Sequence, residues 1–478
     1  MDRISSNATM AIRRWWTALD PGPRAAAVLG FSLVVLAFHP GYMSNDSFTQ
    51  LAQARSGEIL DSHPPVLSFI WSIVDDIVGG PFGMLILQNL MFWSGAALIA
   101  AGLPVRRWIQ ALAALGFGLF PPIFGLLGTI WKDIWFLGAL MMAVGLIVRS
   151  KQRRSPYGHF VLAFGFLVLA TSMRHNAAAA VLGIALWGVS RLDVRILQPS
   201  RWPIVRWSAA AALVTVVSFL LSSFASGLIA DRSTHFWQVL AVYDVSGVSV
   251  DIGENLFTSD TGVLRGPTEL ADLEQIYTPR SLLSNYREVC GEDGQCRDSI
   301  FVRTMDGDEL DRLFSLWMRT IIENPGSYLE HRWNVFAEVI GLTDDHLWGA
   351  VYRPKIAPND LGLEFDETPF NDGVTSALMF LVDTPVYRVW IYGIILIGLI
   401  AAGIGVYRRH SDTYIMALSL SGFLYVAGYF FVAPSPDFRY NIWGIESVLL
   451  VGAYAAAHYG KGQWTAAVGN PSVLRVNE

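Results

Sequence analysis

Only two cysteines occur in the 478 residues, Cys290 and Cys296, separated by GEDGQ. That scarcity excludes a disulfide scaffold and a cysteine-built metal framework. A local disulfide in an oxidising compartment and a pair of free thiols both stay open. Charge is also scarce: Asp, Glu, Lys and Arg make up 15% of the chain, where a soluble protein carries roughly a quarter. No internal repeat or low-complexity tract stands out. The formal net charge of −6 decides little, because it averages over two unlike faces.

What the chain has in excess is apolar surface, at 53% hydrophobic residues with 17 Trp. Apolar runs recur at 25–38, 83–103, 109–127, 134–148, 160–171, 177–189, 209–229, 389–406, 415–432 and 442–456. A helix needs about 20 such residues to cross about 30 Å of hydrocarbon, with polar flanks snorkelling to the surface. The expected class is an all-α polytopic membrane protein with ten spanning helices. Arg13, Arg14 and Arg24 precede a first run that lacks a small-residue cleavage site, so it reads as an anchor rather than a cleaved signal.

Basic residues orient the chain. Loops at 1–24, 103–108, 149–156, 190–206, 407–412 and 459–478 hold 18 of the 34 Lys and Arg. The opposite short loops hold four: Arg55, Lys132, Arg174 and Arg439. That bias puts the first set in the cytoplasm and the second outside, in an inner (plasma) membrane with the site facing the periplasm or exterior. The assignment requires that VLSFIWSIVDDIVGG, residues 66–80, does not cross; it is too short and carries Asp75 and Asp76, so it reads as an interfacial helix with those acids on a solvated face. Three regions follow: an N-terminal membrane module at 1–230 containing the external loop 40–81, an external insertion at 231–385, and a C-terminal membrane module at 386–478. Within the insertion, two amphipathic helices are expected on either side of Asn324-Pro325-Gly326, after a loop-rich stretch at 250–300.

With this topology, ionisable groups collect at the outer helix ends: Asp46, His63, Lys132, Asp133, Arg174, His175, Asp244, Asp437 and Arg439. Charges at membrane depth are costly and face cavities or one another. Most have a plain alternative. Asp46 could cap a helix, and Asn45-Asp46-Ser47 also matches a glycosylation sequon. Lys132 and Asp133 could form an interfacial pair, and Arg174 and Arg439 could mark turns. His63 could shape the turn at Pro64-Pro65, and His175 could hydrogen-bond a helix end. The Trp residues at 131, 135, 237, 390 and 443 fit an aromatic belt.

The segments SNDSFTQ and SHPPVL, then WKDIWF, RHN and FRYNIW, resemble polyprenyl-phosphate-sugar-dependent glycosyltransferases of the GT-C fold. That group includes protein O-mannosyltransferases and the lipid A aminoarabinose transferase. The likeness covers roughly residues 25–190 and 385–458. It implies that Asp46, the first-loop acid, is catalytic, and that the transfer inverts the anomeric carbon. Some relatives carry a second acid where Ser47 stands, and Lys where His63 stands. On this reading Asp46 is the general base, and Lys132, Arg174 and Arg439 bind the donor phosphate. Asp133, His63, His175 and Asp244 support them. A divalent cation, Mg or Mn, held by Asp46 and Asp133 is a further possibility. The expected partners are the lipid-linked donor, a glycan, lipid or protein acceptor, and membrane lipids, with no nucleic acid. A transporter or flippase of lipid-linked sugars and a non-catalytic envelope assembly partner are the rival readings.

Overall fold

A computed structural model describes residues 21–150, 157–174, 176–192, 203–286, 289–290, 296–343, 349–353 and 355–460. Most of these residues are helical. Among them the strands amount to a two-residue antiparallel pair, Val289–Cys290 (β1) and Cys296–Arg297 (β2), whose register sets Cys290 opposite Cys296.

The membrane-type helices are α1 (Pro21–Phe38), α4 (Phe82–Ala101), α5 (Arg107–Leu119), α6 (Pro121–Leu127), α7 (Lys132–Ser150), α8 (Tyr157–Met173), α9 (Ala177–Ser190), α10 (Pro203–Ile229), α16 (Val389–His410), α17 (Tyr414–Val432) and α18 (Ile442–Tyr459). The remaining helices are α2 (Asn45–Ser56), α3 (Pro65–Asp75), α11 (Trp237–Ile252), α12 (Leu270–Ile276), α13 (Gly307–Glu323), α14 (Pro325–Val339) and α15 (Pro369–Leu381). The chain is a multi-pass integral membrane protein. Among the described residues six helices are long and apolar enough to cross, and α5 with α6 would make a seventh span bent by 65°. The expectation of ten is therefore not reached by length and composition. Helices α8 and α9 are shorter, and α18 is diluted by Glu446 and His458.

Local chemistry explains the breaks. Phe120 precedes Pro121-Pro122, and the proline ring forces it to an extended ψ of 124°, which bends α5 away from α6. Asn324 ends α13, and Pro325 opens α14 at a position that needs no N–H. The expected pair of amphipathic helices is thus present with its break in place.

Helix α7 is the buried centre of the bundle, and α10 lies at its rim with only Ala211, Ser218 and Ser222 buried. In lipid, close helix contact depends on packing through small residues. A Cβ on Gly95 of α4 would stand 2.5 Å from the Met141 backbone of α7, and one on Gly145 would stand 2.8 Å from Leu98 Cβ. Gly95→Ala is expected to push α4 from α7 and cost about 1–3 kcal/mol, read as a lowered midpoint of thermal unfolding in detergent. An unchanged midpoint would mean that the two helices have slack.

Helix α3 is 11 residues long, roughly 16 Å at the α-helical rise and too short to span. Asp75 corrects the expectation of a solvated face: it pairs with Arg55 (2.8 Å) and accepts the Gly80 N–H (2.6 Å). The insertion is knitted to the first loop. Asp61 accepts from the Thr234 N–H and Ser233 Oγ, both at 2.6 Å, and Arg232 pairs with Glu58.

Candidate functional site

Short backbone ladders bring the first loop to the start of α7. Tyr42 pairs in parallel with Thr129 and Met43 with Ile356, so residues 42–43 lie between the approach to α7 and a strap from the insertion. Ser44 caps α2, and its hydroxyl accepts from Trp131 Nε1 at 2.7 Å. Ser47 Oγ donates to the Ile130 carbonyl at 2.6 Å. The cap is therefore Ser44 and not Asp46. Asp46 stands in the first turn, where the helix dipole favours a carboxylate, and is turned to the cluster that Lys132 and Asp133 open.

That cluster joins four separate helix ends. Asp133 is fully buried and lies between two guanidinium groups: Arg174, in direct ion-pair contact, and Arg439, whose Nε is 3.8 Å from its carboxylate. Arg439 Nη2 also reaches Asp46 at 2.9 Å and Asp437 at 3.3 Å. Arg174 donates to the Tyr429 hydroxyl at 2.7 Å and lies 4.7 Å above the Tyr440 ring, while Arg439 lies 4.5 Å above Trp131. Cations over aromatic faces are stabilised without being neutralised. Lys132 makes no hydrogen bond or ion pair among the described residues, though its charge acts on Asp46.

The structure thus brings together Asp46, Lys132, Asp133, Arg174 and Arg439. Three carboxylates face three cations, and Arg439 contacts all three acids. The cluster opens outward at Asp46, whose side chain is 31% exposed. Burial alone would push the Asp46 carboxyl up, but Arg439, Lys132 and His63 hold it well below the usual carboxylate range. His63 is half-buried next to this cluster without bonding to it. Burial and Lys132 push its imidazole down to about 4 against the pull of Asp46, so it is neutral at physiological pH. His175 lies outside the described residues.

Asp244 does not join the cluster. It is fully buried inside the insertion, bonded to Arg332 (2.5 Å), His331 Nε2 (2.9 Å) and Trp317 Nε1 (2.8 Å). Its link to the site is indirect. Arg332 Nη1 donates to the Ala433 carbonyl at 3.2 Å, the Leu282 N–H to Pro434 at 2.9 Å, and Asn441 Nδ2 to Val339 at 2.9 Å. The insertion therefore grips both ends of the segment that carries Asp437 and Arg439.

The belt reading fails for several tryptophans. Trp131, Trp135 and Trp443 are buried, and Trp131 serves as floor for Arg439. Sequence reasoning also missed Tyr429 and Tyr440, whose rings stack 4.7 Å apart beneath Arg174. The tyrosine adjoining Arg439 in FRYN was the available signal. The residues do not suit the divalent cation considered for Asp46 and Asp133: guanidinium groups occupy both carboxylates, and no group of three His, Cys, Asp or Glu suited to a metal occurs among the described residues.

No family model and no solved structure matches the chain. Over 249 residues it is 23% identical to the inner membrane metabolite transport protein YhjE of Escherichia coli strain K12, a stretch covering 48% of this chain and 53% of that protein. The chain thus spans about half the length of this curated relative.

Proposed function

We propose that this protein is a membrane glycosyltransferase that moves a sugar from a polyprenyl-phosphate donor to an acceptor hydroxyl on the extracytoplasmic face. The observation that carries the reading is an ionised, partly exposed Asp46 in contact with Arg439, in one cluster with Arg174 and Lys132. A carboxylate able to take a proton lies beside cations able to receive a leaving phosphate.

In the proposed step, Asp46 takes the proton of the acceptor hydroxyl. The acceptor oxygen forms a bond to the anomeric carbon as the bond from that carbon to the phosphate oxygen breaks, with inversion. The polyprenyl phosphate leaves with the electron pair, and its charge falls on Arg439, Arg174 and Lys132. The balance of three acids against three cations has a consequence. A donor phosphate must compete with Asp46 for Arg439, and that competition loosens the grip that keeps Asp46 a weak base. Donor binding would thus raise the basicity of Asp46 when the proton has to move.

The likeness to YhjE favours a second reading, movement of a lipid-linked sugar or metabolite across the bilayer. Purified protein in vesicles, supplied with polyprenyl-phosphate hexose and pentose donors, separates the two. The transferase reading expects radiolabelled sugar on an acceptor, and Lys132→Met to lower kcat by about 100- to 1,000-fold. Movement of label across the membrane with none transferred would support the transporter and sink the transferase.

A further inference from the structure

We infer that the external insertion carries a saccharide-binding cleft, separate from the Asp46 cluster, which holds a neutral glycan acceptor. The inference deepens the transferase reading by naming the acceptor class.

The cleft has a volume of about 440 Å³ and lies between the turn at 256–261 and one face of α13, within the ~300–1,000 Å³ range of small-ligand sites. Helix α13 is divided between two tasks. Leu313 is buried in the insertion's core and Trp317 donates to Asp244, while Arg312, Ser315, Arg319 and Glu323 line the cleft. Those four positions are three or four residues apart and form a single stripe.

Three observations select the ligand. Thr320 lines the cleft at 2% exposure, and its buried Oγ1 has no hydrogen-bond partner among the described residues. Arg319 makes no hydrogen bond or ion pair among the described residues, whereas Arg312 is engaged with the Asp260 carbonyl at 2.5 Å. Charges are mixed, with Asp260, Asp311 and Glu323 against the two arginines. Near-balance disfavours a strongly anionic or cationic ligand. A sugar hydroxyl both donates and accepts, so it suits a lining of guanidinium, carboxylate and hydroxyl groups. Leu256 and Leu316 add an apolar patch for the C–H face of a ring.

The test uses the full chain in nanodiscs and measures binding of mannotriose, galactotriose and arabinotriose by saturation-transfer NMR, with inorganic phosphate as the anionic contrast. At least one trisaccharide should bind saturably. Arg319→Ala and Ser315→Val, both at exposed positions, should each weaken that binding tenfold or more, and Asp46→Asn should leave it unchanged. No trisaccharide binding, binding that survives both cleft substitutions, or phosphate binding in place of sugar would overturn the proposal. Trisaccharide binding at the cleft in a protein that transfers no sugar would leave the cleft standing and remove only the transferase reading.

Discussion

On the proposed transferase reading, replacing Asp46 with Asn should reduce sugar transfer by about 100- to 10,000-fold, the span usual for loss of a general base, while the protein stays folded and inserted. The fold should tolerate the change because Asp46 is 31% exposed and Arg439 keeps Asp133 and Asp437 as partners. The pH behaviour follows from the same contacts. Asp46 is depressed below its unfolded value, so its contribution to stability is present above about pH 4 and is lost as pH falls through the folded value. In the free enzyme Asp46 should therefore stay ionised well into acid, and kcat/KM should show no acid limb from it. Once donor phosphate takes Arg439, the carboxyl rises, so kcat should show an acid limb at higher pH than any in kcat/KM. Near-normal turnover of the Asn variant removes Asp46 from the chemistry. Coincident acid limbs would remove the competition for Arg439 and leave the base assignment to the Asn result.

How much of this was legible in the sequence depends on distance along the chain. Asp46, Lys132–Asp133, Arg174 and Arg439 each lie where an apolar run begins or ends, and the expected alternation of ten spans would put all of them on one side. Charge counting alone therefore gathered them. It could not say that Asp133 would be shared by two arginines, because that depends on how four helix ends converge. Nor could it separate Trp131 from a belt tryptophan: both kinds stand at a helix end, and only packing shows a guanidinium above the ring. Asp75 misled for a related reason. Its partner Arg55 is on another helix, 20 residues away. The span count was limited by length, since α8 and α9 are apolar but short.

Asp244 shows most plainly what sequence order conceals, and it gives the largest expected effect on stability. Its partners Trp317 and His331 lie 73 and 87 residues further on, with Arg332 beside the latter. Burial holds His331 below its usual value, in spite of Asp244, and so it is uncharged at neutral pH. Arg332 is then the direct counter-charge to Asp244 in a place where neither is exposed. Removing one member of such a pair leaves the other buried and uncompensated, at a cost of about 3–5 kcal/mol. Asp244→Ala should reach that range by denaturant unfolding in micelles, with faster amide exchange across α13 and α14. Replacing both Asp244 and Arg332 with Leu should recover part of the loss, since two apolar residues can replace a buried ion pair at little cost. The double variant still lacks the bond from Arg332 to Ala433, one of three holds on the segment carrying Arg439. Its stability should therefore recover further than its activity. Equal recovery of both would show that the insertion does not position Arg439, and a loss below 1 kcal/mol for Asp244→Ala would show that the pair is not the keystone of the insertion.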